Sequence, residues 1–214
     1  MYKKYLNNEI KLDKKTILGI IALIIVISGV FGCVYEIIFY YFNGGMKEVY
    51  YRGGNFLPWI NIYAYGALLV HFSTKKIKNH PLLVFILSAL VTGILELGSG
   101  YVLYGLMGKP RCWDYNVEIL NFGNIGGYVC LRSVLVFGLS SLLLIYVIEP
   151  LCYYLAIKLN KKVFLTIALT LCSIFLIDEV YNLAIAKIIH TPRASTVYSS
   201  LGVKYVDLYK DKTD

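Results

Sequence analysis

Four ionisable side chains interrupt long apolar runs: Glu36, Glu96, Arg132 and Asp178. An acid or base inside such a run costs a few kcal/mol on insertion scales and faces a protein interior or a polar cavity. Carboxylates beside a guanidinium allow two kinds of chemistry. They form ion pairs that fix how helices pack, or they line a charged wall that binds a ligand. An acid left without a base is pushed towards its neutral form by desolvation. Asp114 and Arg52 belong to the same group by charge but fall in polar connections, where they would sit at the mouth of such a cavity.

The elements that must position these residues follow from composition. The chain has 214 residues, 58% hydrophobic and only 16% charged, against roughly 25% charged in soluble domains. Twenty tyrosines and an aromatic content of 15% suit membrane interfaces. Apolar runs of sufficient length to cross a bilayer core of about 30 Å recur along the chain. The expected architecture is an all-α, polytopic integral membrane protein of the cell membrane: a basic segment over 1–16, one transmembrane domain over 17–189, and a polar tail over 190–214. Five helices are expected, at about 17–42, 58–73, 81–107, 128–148 and 163–189. Pro58 and Pro81 open the second and third, where a missing N–H breaks no bond. The second helix is short and carries Asn61, Tyr63, Tyr65 and His71, so it belongs inside the bundle rather than against lipid.

Basic residues set the orientation. Lys3, Lys4, Lys11, Lys14 and Lys15 precede the first helix; Lys75, Lys76 and Lys78 follow the second; Lys158, Lys161 and Lys162 follow the fourth. Lys47, Arg52, Lys109 and Arg111 lie in the opposite connections. By the positive-inside rule the amino terminus is cytoplasmic. The net charge of +8 is therefore a topology signal, and no nucleic-acid partner is expected.

Depth then gathers the charges. Glu96 and Asp178 lie about 15 residues past their helix starts, roughly 22 Å at 1.5 Å per residue, and Glu36 about 19 residues, roughly 28 Å. Arg132 lies about four residues, roughly 6 Å, below the outer end of its helix. All four share the outer half of the membrane. Trp113-Asp114-Tyr115 has the composition of an interface anchor or of a lid over this level.

Phosphate-cradling Gly-rich loops, His-Glu-x-x-His zinc motifs and Gly-x-Ser-x-Gly elbows are missing from the sequence. The five cysteines, Cys33, Cys112, Cys130, Cys152 and Cys172, have neither metal nor disulfide spacing. No cofactor or metal is expected. Three readings follow. The first is a permease-like protein binding a small or amphipathic ligand in an outer-leaflet cavity lined by Glu36, Glu96, Arg132 and Asp178. Membrane lipid would surround it, and a homodimer or a separate ATPase subunit would complete a path for which five helices are few. The second is a membrane enzyme acting on lipid headgroups. The third is a structural or regulatory subunit.

Several segments are similar to a known family. Phe31-Gly32-Cys33-Val34-Tyr35-Glu36, Arg52-Gly53-Gly54-Asn55-Phe56-Leu57-Pro58, Ile62-Tyr63-Ala64-Tyr65-Gly66, Leu95-Glu96-Leu97-Gly98-Ser99-Gly100, Trp113-Asp114-Tyr115-Asn116 and Asn124 to Leu131 resemble, in order, the motifs of the type IV ABC-transporter permease family of CmpB type. The likeness runs over about residues 28 to 150 and implies a permease. Asn61, Ala64 and Tyr128 depart from that pattern.

Overall fold

A computed structural model describes residues 1–108, 111 and 113–209; Lys109, Pro110, Cys112 and 210–214 lie outside them. The chain is mostly helical. A short α1 (Tyr2–Leu6) precedes α2 (Lys14–Asn43), α3 (Asn61–Thr74), α4 (Pro81–Leu106), α5 (Leu131–Lys158), α6 (Lys161–Ile188) and α7 (Ala194–Ser200). Strand β1 (Tyr51–Gly53) lies between α2 and α3, and β2 (Tyr205–Asp207) follows α7.

Four helices, α2, α4, α5 and α6, are long and apolar enough to cross a membrane. Sequence led us to expect five. The second, α3, has 14 residues, or about 21 Å at 1.5 Å per residue, short of a core of about 30 Å. Its first turn starts at mid-depth. Ile60 N–H donates to Gly29 O at 3.0 Å, halfway along α2, and Trp59 packs on Phe175 of α6. The stretch from Asn55 to Ile60 thus enters the bundle without helical hydrogen bonds. Asn55, Trp59 and Ile60 are buried against protein, and irregular backbone is tolerated where protein receives its polar groups.

The ends of the bundle are chemically distinct. Asp13 pairs with Lys161 at 3.0 Å and Asn8 donates to Lys75 O at 2.9 Å, bringing the Lys-rich segments to one end. At the far end Ile119 N–H donates to Asn43 Oδ1 at 2.9 Å. There β1 and β2 pair in parallel, Tyr51 opposite Tyr205 and Gly53 opposite Asp207. Tyr198, Tyr205 and Tyr209 hydrogen-bond the Asn55–Phe56 backbone or the Asn55 side chain, so the polar segment after α6 covers the irregular stretch.

The tight core lies towards the Lys-rich end, where Ile20, Ile24, Val70, Val84, Ile145 and Phe164 are buried together. Gly19 faces Phe164 and Gly138 faces Phe85, small residues that let helices approach closely. Ile94, Leu139, Ile177 and Ile188 face outward.

The fourth expected helix ended at Ile148, ahead of Glu149-Pro150. The helix instead runs on to Lys158. A π-helical turn, Leu144–Ile148, precedes the proline. Pro150 brings no N–H to that turn, and the Tyr5 hydroxyl oxygen lies 2.8 Å from Ile145 O.

Candidate functional site

Towards the far end the helices part around a cavity of about 220 Å³. One water needs about 10–15 Å³ by this measure, so the space suits a small organic molecule. Its lining includes Glu36, Glu96, Glu118 and Arg132, with Tyr35, Phe39, Tyr40, Tyr63, Tyr104, Trp113, Tyr115 and Phe137. A second, apolar cavity of about 60 Å³ reaches from Glu96, Ile62, Tyr63 and Phe137 towards Val70, Leu144 and Ile148. Glu96 lies in the wall common to both.

Each charged group has a local reason for its place. Arg132 stands in the first turn of α5, which Cys130 and Ser133 cap reciprocally, Ser133 N–H to Cys130 Sγ at 3.5 Å and Cys130 N–H to Ser133 Oγ at 3.3 Å. The Ser133 hydroxyl also reaches Glu96 Oε2 at 2.7 Å. Tyr115 donates to the other Glu96 oxygen. Burial, and then the Glu96 carboxylate, raise the Tyr115 phenol well above its ordinary value, so it stays a donor. Among the described residues no basic side chain pairs with Glu96.

The other acids are matched. Arg52 Nε lies 2.8 Å from Glu36 Oε2, its guanidinium 3.5 Å from the Tyr40 ring centre. Arg132 Nη2 lies 2.8 Å from Glu118 Oε2, and its guanidinium is 4.1 Å from the Phe39 ring centre. Tyr40 donates to Glu118 Oε1 at 2.5 Å. Among the described residues, Arg132 Nε and Nη1 are buried with no acceptor.

Of the six residues singled out in sequence, Glu36, Glu96 and Arg132 line the cavity. Arg52 stands behind Glu36. Asp178 is turned elsewhere: its oxygens accept the Phe56 and Leu57 N–H groups, 2.9 Å each, and the Asn182 amide at 2.8 Å. It anchors the irregular stretch before α3. Asp114 accepts from Arg111 at 2.8 Å and from Asn116 N–H at 3.0 Å, closing its own loop.

Sequence reasoning missed Glu118, the counter-charge of Arg132; a lone acid between Val117 and Ile119 was the available signal. It also missed a second polar centre at the Lys-rich end. There Glu149, fully buried, accepts Tyr5 at 2.6 Å and Lys78 at 3.0 Å and bonds His71 Nδ1 at 2.7 Å. Burial draws the Lys78 ammonium below its ordinary value, against the pull of Glu149. Among the described residues no group of three or more His, Cys, Asp or Glu is placed to hold a metal ion.

Four apolar helices long enough to cross a bilayer mark a membrane protein. A family model described as "Putative ABC-transporter type IV" matches residues 23–183, and the chain belongs to that family. No curated protein and no solved structure matches it.

Proposed function

We propose that the chain is a permease-like subunit of the cell membrane that binds a small or amphipathic ligand in the outer-leaflet half of the bundle. The observation that carries this reading is the cavity of about 220 Å³ into which Glu36, Glu96, Glu118 and Arg132 are gathered. The family match supports transport. The Lys-rich end supports a cytoplasmic amino terminus by the positive-inside rule. Asn55 to Thr74 then makes a fifth crossing, irregular over Asn55 to Ile60 and helical over Asn61 to Thr74. Breaks of this kind lie at ligand sites in transporters. Glu96, common to both cavities, is the contact through which a ligand would pass from the polar to the apolar space. A homodimer or a separate ATPase subunit would supply the rest of the path and the energy.

A second reading, a structural subunit, draws on the closed pairs Arg52–Glu36 and Arg132–Glu118. The test is a density map of the protein purified with native lipid. Non-protein density beside Glu96 and Arg132 is expected. A cavity collapsed and filled by its own side chains would leave only the structural reading.

A further inference from the structure

The charges around the cavity do not cancel. Glu36 meets Arg52 and Glu118 meets Arg132, each at 2.8 Å. Glu96 meets only the hydroxyls of Tyr115 and Ser133 among the described residues. Among the described residues one carboxyl group, Glu96, therefore faces the space without a counter-charge, where a cation would favour its ionised form; Tyr35, Tyr63, Trp113 and Phe137 line the same space. Aromatic faces attract cations, quaternary ammonium groups in particular. Arg132 adds an independent constraint. It is 8% exposed, its charge is met by Glu118, and among the described residues Nε and Nη1 have no acceptor. These donors call for an oxygen, and a neutral one suffices because the guanidinium is already paired.

Resting on the cavity reading above, we propose that the ligand is an organic monocation: an ammonium group held by Glu96 and the aromatic walls, carrying an oxygen that accepts from Arg132. An oxyanion would face the carboxyl groups of Glu36, Glu96 and Glu118, while the charges of Arg52 and Arg132 are already met by Glu36 and Glu118. A zwitterion would return a negative charge to a site that already has one in excess. A bare metal ion would find rings where it needs oxygen ligands. The ammonium belongs either to a soluble amine or to the headgroup of a cationic amphiphile, and the titration below distinguishes the two.

The experiment is a titration of the purified full chain in detergent with choline, glycine betaine and lauroylcholine, read by calorimetry. Choline is expected to bind about tenfold or more tighter than glycine betaine. Glu96→Gln is expected to weaken choline by about tenfold or more while its thermal midpoint shows that it still folds. Lauroylcholine much tighter than choline marks an amphiphilic source, and equal binding a soluble one; both support the proposal. Betaine binding as well as choline, or Glu96→Gln binding choline unchanged, overturns it. If Glu96→Gln does not fold, the choline–betaine comparison on the unaltered chain decides. No ammonium binding alongside native-lipid density in the cavity sinks the cation class alone. A collapsed cavity sinks the permease reading as well.

Discussion

Glu118 Oε2 lies 2.8 Å from Arg132 Nη2, so a loop carboxylate supplies the counter-charge for a base near the start of a membrane helix. Both residues are more than nine-tenths buried. Removing one partner of such a pair leaves the other charge buried and costs about 3 kcal/mol. Glu118→Ala should lower unfolding stability by about that much, and adding Arg132→Met should restore more than half. Chemical unfolding in detergent measures both. A Glu118→Ala protein as stable as the parent would show that the pair holds nothing.

Asp178 holds the backbone of the irregular stretch through two N–H groups. Asparagine keeps one acceptor oxygen, so Asp178→Asn strands one amide at a cost of about 1–3 kcal/mol. Hydrogen exchange at Phe56 and Leu57 should quicken, while exchange along α4 stays as it was. Unchanged protection at those two amides would contradict the anchor role.

Asp13 caps α2, accepting from Lys15 N–H and from the Thr16 N–H and hydroxyl, and it pairs with Lys161. The Thr16 hydroxyl, then Lys161, hold its carboxyl below the usual range. The folded value is depressed, so its stabilisation is complete above the unfolded value of about 3.9 and fades as pH falls below it. The melting gap between the parent and Asp13→Asn should be full at neutral pH and shrink steadily below about pH 4. Melting curves across that range check it; a constant gap at pH 3 and pH 7 would refute it.

Gly32 lies against the Tyr63 ring, and a methyl group there would overlap it. Gly32→Ala should cost about 1–3 kcal/mol by overpacking and move the Tyr63 hydroxyl from Glu36, 3.3 Å away. Gly66, on α3, has open space where a Cβ would go. Gly66→Ala should be neutral or stabilise by about 0.5–1 kcal/mol. Thermal unfolding of the two variants side by side distinguishes them.

Helix ends were legible where polarity changes abruptly: Pro81 opens α4 as read, and α2 and α6 begin within three residues of the reading. The rise of 1.5 Å per residue led to one expected level for Glu36, Glu96 and Arg132, and these three line one cavity. What did not show was direction around the axis and the reach of loops. Asp178 shares the level yet turns to the Phe56 and Leu57 amides. Glu118 looks like an ordinary loop acid until its chain folds inward. Glu149-Pro150 looked like a helix end because proline usually is one; the helix passes it through the π-helical turn Leu144–Ile148, and Tyr5, more than a hundred residues away, packs its hydroxyl against that turn and Glu149, which no local pattern reveals.

The Asn55–Ile60 stretch has a consequence for biosynthesis. Ile60 meets Gly29 of α2, made before it, but Asn55, Phe56 and Leu57 meet Asp178, Tyr198, Tyr205 and Tyr209, all made long after it. While the ribosome is still translating α4 and α5, the backbone of those three residues lacks these partners. The stretch is therefore completed only when the last long helix and the segment beyond it have emerged, and Tyr209, which lines the cavity, is among the last residues to arrive.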